Sequence, residues 1–276
     1  MDLKKRIINE PAFQIREAAR KAMKGRMGLL IMSAAIFMLC MEIPVIIVEQ
    51  ITGLWDVFER ALEDYAAVLV NPTYAAMNDF TEAYYDKFSV SFASYIFLLV
   101  VTGPLELGLS IVWLRVLRGK EAYADMVFSG FGNFLLAMLL GLVRSIFIAI
   151  WSLLLVVPGV IAYYRYSTAF FILADNPATT PFAALTQSKY YMQGNKGSRF
   201  YLDLTFLGWF ALSGIVTALV NNIVSAAINY STSPSLFIQF IISSLIGSVI
   251  IAPVCAYRGV AAAEYYHRVI CRDPRI

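Results

Sequence analysis

The sequence is poor in the side chains that most enzymes use for catalysis. Its 276 residues include one histidine, His267, so an HExxH zinc site is impossible and a serine–histidine pair has a single candidate. No glycine-rich phosphate-binding loop occurs. The three cysteines, Cys40, Cys255 and Cys271, lie far apart and fit neither a disulfide framework nor a metal-binding pattern. We therefore expect no catalytic residues, no metal and no cofactor, and we predict that the protein is not an enzyme.

Charged residues are scarce as well. They make up 15% of the chain, whereas the surface of a soluble protein is about a quarter to a third charged. Apolar residues make up 59%, and the mean hydropathy is +0.68. The cations are spread along the chain and do not form the basic patch of a nucleic-acid-binding protein. This composition excludes nucleic acid as an expected partner and indicates a membrane protein.

Long apolar runs predict where the chain crosses the bilayer. A transmembrane helix needs about 20 consecutive apolar residues, and the block from Asn133 to Asn176 is long enough for two. The whole sequence offers six spans, at residues 27–48, 91–114, 134–151, 153–174, 201–227 and 236–265. We predict an all-α protein, a polytopic bundle of six transmembrane helices in three hairpins, which forms one integral membrane domain over residues 1–276.

The distribution of charge predicts the orientation of the bundle. Six spans place both termini on one side, and 17 of the 22 Lys and Arg residues fall in the segments of that side. The longest connection, residues 49–90, carries only Arg60 and Lys87 against eight acidic residues. Because cytoplasmic segments are rich in Lys and Arg, we expect both termini in the cytoplasm and residues 49–90 outside it.

The first span has a second interpretation, as a cleaved signal peptide. A signal peptide has a shorter apolar run that ends in a small-residue cleavage site. Here a mostly polar segment, residues 1–26, precedes an apolar run that extends over residues 27–48. We therefore expect this span to be retained as a membrane anchor.

Short amphipathic helices are predicted on the cytoplasmic side, at residues 11–24 and 122–129 and after residue 179. The third of them has the clearest limits. Thr180 is a good N-cap, Pro181 suits the first helical turn, and Gly194 provides a stop.

Two further helices are expected in the outer connection, at Leu54–Val70 and Tyr74–Phe88, with Asn71 and Pro72 between them. They form either a lid that rests on the bilayer surface or an acidic surface for a cationic peptide or extracytoplasmic protein. Residues 49–90 are thus predicted to be a helical extracytoplasmic loop.

Each returning span contains a proline: Pro104, Pro158 (followed by Gly159) and Pro253. A proline removes one backbone hydrogen bond and kinks a helix, so these four residues are the predicted kink positions. The pattern has two interpretations. It is either a threefold repeat of amphipathic helix, outgoing span and kinked returning span, or the ordinary abundance of proline and glycine in membrane helices.

Ionisable residues within the spans are the candidates for a functional site, because a charge at mid-bilayer is costly unless it is paired or hydrated. Glu106 follows the Pro104 kink, and Arg144 and Arg165 are its candidate partners. These three residues could be structural pairs or line a polar cavity. The complete candidate polar site is Glu106, Arg144, Arg165, Asp175 and Asp203.

The remaining ionisable residues of the spans are Glu42, Arg258 and Glu264. For Asp203, Arg258 and Glu264 the simpler interpretation is structural pairing, or snorkelling of the side chain toward the interface, because they lie nearer the predicted cytoplasmic ends.

Three phrases of the sequence carry a family resemblance: GPLELGLSIVWLRVLRG (103–119), LLLVVPGVIAYYRYSTAFFILADNP (153–177) and ALTQSKYYMQGNKGSRFYLDLTFLGWF (184–210). They resemble an uncharacterised family of bacterial integral membrane proteins known as domain of unknown function 975 (DUF975). That family is remotely similar to the membrane domain of some glycerophosphodiester phosphodiesterases. The resemblance implies a helical bundle in a bacterial cytoplasmic membrane, but no phosphodiesterase domain is present from which hydrolysis could be carried over.

Two functions follow from these observations. The first is a non-catalytic membrane protein that binds membrane lipid or a partner protein, in the membrane or outside the cytoplasm. The second is a small transporter or carrier of a lipid or amphiphilic solute, whose polar cavity would be lined by the buried charges.

Overall fold

A computed structural model describes residues 7–51, 64–66, 68–70, 72–88, 92–229 and 236–272, and none of these residues forms a β-strand. Residues 64–66 and 68–70 are helical. The other helices are α1 (Ala12–Met23), α2 (Met27–Ile51), α3 (Tyr74–Phe88), α4 (Phe92–Leu117), a 3-10 helix (Ala124–Asn133), α5 (Phe134–Leu154), α6 (Val156–Arg165), α7 (Ala169–Asp175), α8 (Pro181–Tyr191), α9 (Lys196–Leu204), α10 (Leu207–Asn229) and α11 (Leu236–Cys271).

Six helical stretches of the described chain are long and apolar enough to cross a membrane, which confirms the predicted number of spans. They cover Met27–Ile51, Tyr95–Leu117, Ala124–Leu154, Val156–Asp175, Lys196–Ala227 and Ile238–Cys271. Many apolar side chains on these stretches are exposed, among them Leu153 at 87% and Ile223 at 69%. An apolar surface of this kind is typical of helices that lipid surrounds.

The fourth span differs from a single helix kinked at its proline. Pro158 and Gly159 lie in the first turn of α6. Pro158 is the third helical residue, where an N–H group would have no partner within the helix, so the proline costs no hydrogen bond. The chain breaks instead at the extended residue Leu155 and again between α6 and α7. Pro104 and Pro253 lie inside α4 and α11.

The short helices expected from the sequence are present as α1, the 3-10 helix and α8. The Thr180 side chain accepts a hydrogen bond from the backbone N–H of Ala183, as an N-cap should. Gly25 and Gly194 have φ angles of 80° and 83° and follow α1 and α8, a left-handed conformation that favours glycine after a helix.

In the outer connection, α3 has the predicted limits, Tyr74–Phe88. Of the other predicted helix, Leu54–Val70, residues 64–66 and 68–70 are helical and the rest lies outside the described residues.

Helix α4 is the centre of the bundle and contacts α2, the 3-10 helix, α5, α7 and α11. Glycines allow its backbone to approach two of these neighbours. A Cβ atom at Gly103 would collide with the carbonyl group of Ala137 in α5, and one at Gly108 would collide with the carbonyl oxygen of Val127 in the 3-10 helix. Small residues at helix contacts are a common means of close packing in membranes.

Helix α11 extends beyond the span predicted to end at Tyr265. Its last turns pack on α1 and on the segment before α1. Arg268 donates to Glu10 at 2.6 Å and to Glu264 at 2.6 Å, and Arg272 also donates to Glu10. These contacts join the two ends of the described chain.

The glycine contacts of α4 lead to a stability prediction. Gly108→Ala should lower the free energy of unfolding by about 1–3 kcal/mol, because the added methyl group has no room beside Val127. Gly214→Ala is the control, because a Cβ at that helical position would have no atom within 4 Å in the described part of the chain, apart from the backbone of its own helix. Unfolding in mixed detergent micelles measures both, and equal stability of the two variants would contradict the packing described.

Candidate functional site

Five helices contribute polar side chains to one cluster inside the bundle. Glu106 comes from α4, Arg144 from α5, Tyr163 from α6, Arg199 and Asp203 from α9, and Arg258 from α11. We call these six residues the buried charge cluster: Glu106, Arg144, Tyr163, Arg199, Asp203 and Arg258.

The first half of the buried charge cluster is an ion pair between α4 and α5. Arg144 Nη1 lies 2.5 Å from Glu106 Oε1, and the arginine side chain is only 12% exposed. The guanidinium carbon lies 5.4 Å from the centre of the Phe170 ring and 5.8 Å from that of Tyr163. The carboxylate and the two ring faces therefore all stabilise the Arg144 charge.

The second half is centred on Asp203. Its Oδ1 accepts hydrogen bonds from Arg199 Nη1 at 3.0 Å and Arg258 Nε at 3.0 Å, and its Oδ2 accepts from Arg258 Nη2 at 3.2 Å. Arg258 therefore binds the carboxylate bidentately, the strongest geometry for this pair of groups. The Asp203 and Arg199 side chains are 10% and 7% exposed.

Tyr163 links the two halves. Its hydroxyl accepts a hydrogen bond from Arg258 Nη2 at 3.0 Å, while its ring lies beside Arg144. Three arginines and two carboxylates thus lie in one continuous set of contacts.

Two cavities lie against this cluster. The first, of about 350 Å³, has apolar walls that include Leu98, Leu99 and Ile148, and polar groups from Thr102 and Ser145; we call it the Ser145 cavity. The second, of about 200 Å³, is lined mainly by α2, α4, α7 and α11; we call it the Trp113 cavity. Both cavities are also lined by the same three residues, Glu106, Arg144 and Tyr163.

A third concave surface, of about 740 Å³, lies beside α1; we call it the basic groove. Its apolar lining comes from Met23, Met27, Trp209, Pro253 and Val254. Its polar lining comes from Arg16, Glu17, Arg20, Lys21, Lys24 and Tyr257.

The residues predicted from the sequence fall in three places. Glu106, Arg144 and Asp203 belong to the buried charge cluster. Of the two candidate partners for Glu106, Arg144 is the one that binds it, whereas the Arg165 guanidinium lies 5.9 Å from the Trp151 ring and lines neither cavity.

Asp175 lies away from the cluster and binds Arg118 and Tyr266. Its carboxylate accepts hydrogen bonds from Arg118 at 2.6 and 2.8 Å and from the Tyr266 hydroxyl at 3.2 Å. The hydrogen bonds to Asp175 raise the pKa of the Arg118 guanidinium above its ordinary value. This pair fixes the end of α4 to the end of α7.

Sequence reasoning missed the roles of Arg199 and Tyr163. Arg199 is one of the cations that indicate the cytoplasmic side, and Tyr163 resembles an interfacial aromatic residue. A local signal for Arg199 does exist, because Asp203 follows it by four residues and therefore lies on the same face of a helix. No comparable spacing in the sequence links Tyr163 to its partners, Arg144 and Arg258.

Glu42 has partners outside the cluster. Its carboxylate accepts hydrogen bonds from the hydroxyls of Ser244 and Ser248 in α11. In the described part of the chain, no group of three or more His, Cys, Asp or Glu residues is arranged to hold a metal ion.

Residues 152–273 match the family described as "Protein of unknown function (DUF975)". The match covers Arg199, Asp203 and Arg258 but not Glu106 or Arg144, and it extends over less than half of the chain. No curated protein and no solved structure matches this chain. The similarity to the membrane domain of glycerophosphodiester phosphodiesterases stays a prediction.

The two carboxylate sites lead to a comparison of stabilities. Asp203→Asn should cost about 3–5 kcal/mol of unfolding free energy, because it leaves the buried Arg199 and the half-buried Arg258 without their counter-charge. Asp175→Asn is the control and should cost less, since the Asp175 side chain is more exposed to solvent than that of Asp203 and has one arginine partner, Arg118. Unfolding in mixed micelles gives both values. A cost for Asp203→Asn no greater than that for Asp175→Asn would be inconsistent with an essential buried pair.

Proposed function

We propose that this protein is a non-catalytic, multi-pass protein of the bacterial cytoplasmic membrane that binds anionic membrane lipid. The observation that carries the proposal is the basic groove, which combines an apolar lining with a row of cations. An anionic phospholipid is complementary to both features, because its acyl chains suit the apolar lining and its negatively charged headgroup suits the cations.

The charges of the groove support this choice of ligand. Four cations, Arg16, Arg20, Lys21 and Lys24, lie against one acid, Glu17. The hydrogen bond from Lys21 lowers the pKa of the Glu17 carboxyl. Even with this pair counted as neutral, the other three cations of the groove are in excess.

The proposed topology places the groove where anionic headgroups are found. With both termini in the cytoplasm, α1 lies at the cytoplasmic surface and its cations meet the anionic leaflet. The contacts of α2 with α4, α5 with α6 and α10 with α11 support an arrangement in three hairpins. Residues 49–90 would then lie outside the cytoplasm, where they could contact an extracytoplasmic protein.

The absence of a catalytic role is part of the proposal. The single histidine, His267, lines neither of the two cavities. The carboxylates that do line or adjoin them are bound to arginines and are not arranged as a free acid and base.

A charge-removal experiment tests lipid binding. Arg20→Gln with Lys24→Gln should weaken binding of phosphatidylglycerol by about 30-fold, since each surface cation contributes about 1 kcal/mol. Lys120→Gln with Lys189→Gln is the control, because both lysines are exposed and neither lines the groove. Native mass spectrometry of the purified protein measures retained lipid. Equal loss in both double variants would refute a specific lipid site in the groove.

The second candidate function is a carrier for a lipid or amphiphilic solute. It is favoured by the two cavities that meet at Glu106, Arg144 and Tyr163, an arrangement in which one ion pair separates two compartments. Reconstituted protein should then move a fluorescent phosphatidylglycerol between leaflets, and Glu106→Ala with Arg144→Ala should abolish that movement. Arg118→Ala with Asp175→Ala is the matched ion-pair control. Movement no faster than in protein-free vesicles would eliminate the carrier function.

A further inference from the structure

Two buried donor groups at the Trp113 cavity have no hydrogen-bond partner among the residues that the structure describes. They are Trp113 Nε1 and Arg144 Nε, and both residues line this cavity. An unsatisfied buried polar group costs about 1–3 kcal/mol, and more when it is charged. Both atoms are donors, so the group that would satisfy them is an acceptor.

The sequence fixes the position of the Trp113 donor. A Cβ atom at Gly259 in α11 would collide with the indole ring, so the ring can pack on α11 only because this residue is glycine. The indole also lies 6.3 Å from the Phe171 ring, measured between centroids. The Nε1 atom is therefore held in place by packing and does not depend on a hydrogen bond for its position.

The cavity also has an excess of positive charge. Arg144, Arg199 and Arg258 line it, whereas Glu106 is the only carboxylate among its lining residues. Counting Asp203, which binds Arg199 and Arg258, three cations face two anions. A water molecule would satisfy a donor but would leave this charge uncompensated, whereas an anion does both.

The size of the cavity limits its ligand. A volume of about 200 Å³ equals that of roughly seven water molecules, each of which occupies about 30 Å³ in the liquid. This is too small for a whole lipid and sufficient for a compact oxyanion.

We infer that the Trp113 cavity is a binding site for an oxyanion, a phosphate or carboxylate group, which accepts hydrogen bonds from Trp113 Nε1 and Arg144 Nε. The group belongs either to a free anion or to the headgroup of an anionic lipid. No residue of this site lines the basic groove, so either site can fail without the other. If the protein is a carrier, this site defines the charge of its cargo.

Fluorescence of Trp113 tests the site directly. A variant with Trp55, Trp151 and Trp209 each replaced by phenylalanine keeps Trp113 as its only tryptophan. In an uncharged detergent, it is titrated with inorganic phosphate at constant ionic strength, and separately with short-chain phosphatidylglycerol. Sodium chloride is the ionic-strength control for phosphate, and the diacylglycerol of the same chain length is the uncharged control for phosphatidylglycerol. A saturable change in Trp113 emission is expected with the anion and not with its control.

A second measurement tests the donor itself. Ligand-induced thermal stabilisation gives the affinity without using tryptophan emission. Trp113→Phe should weaken binding of the same anion by at least about tenfold, because a hydrogen bond to a charged group is lost. Trp151→Phe is the matched control, since Trp151 lines neither cavity nor the basic groove.

The outcomes identify the source of the oxyanion. A response to inorganic phosphate indicates a free anion, and a response to phosphatidylglycerol alone indicates a lipid headgroup; both support the site. Trp113 emission that is unchanged by either ligand would overturn the inference. So would equal affinities of Trp113→Phe and Trp151→Phe.

Discussion

The ion pair between Glu106 and Arg144 is the interaction on which the interior of this protein depends. Both residues lie in apolar helices, where a single charge without a partner is costly. Their contact joins α4 to α5, and the same two residues line both the Ser145 cavity and the Trp113 cavity. Tyr163 extends the contact to Arg258 and Asp203, so that α6, α9 and α11 are held by the same set of charges. Removing Glu106, Arg144 or Asp203 would leave at least one arginine or carboxylate of this interior without its counter-charge.

Glycine packing brings these charges together. Gly103 and Gly108 allow the backbone of α4 to contact the backbones of α5 and the 3-10 helix directly. This close packing brings Glu106, two residues before Gly108, within reach of Arg144. Gly259 has the equivalent role on α11, where it admits the Trp113 indole. The basic groove beside α1 is built differently, from an exposed row of cations over an apolar lining. The molecule therefore offers two kinds of site for negative charge, one within the bundle and one at its surface.

The sequence predicts the spans and the capped helix well because the causes are local. Runs of apolar residues fix the six spans, and Thr180 with Pro181 fixes the start of α8. The partner of Glu106 is not predictable, because Arg144 and Arg165 are equally eligible until helix rotation is known. The break between α6 and α7 is equally hidden, since the residues there, Tyr166, Ser167 and Thr168, include no proline or glycine. In the sequence, Arg199 is one of the cations that predict the cytoplasmic side. In the structure it is a buried ion-pair partner of Asp203, because α9 turns the face that carries both residues inward.

A double-mutant cycle on Glu106 and Arg144 tests most directly whether their contact organises the interior. Unfolding free energies in mixed micelles would be compared for the wild type, Glu106→Gln, Arg144→Met and the double variant. We expect a coupling energy of about 2–3 kcal/mol, the upper part of the range for residues in direct contact, and a double variant no less stable than the worse single variant. Single-variant effects that add to within about 0.5 kcal/mol would contradict the account.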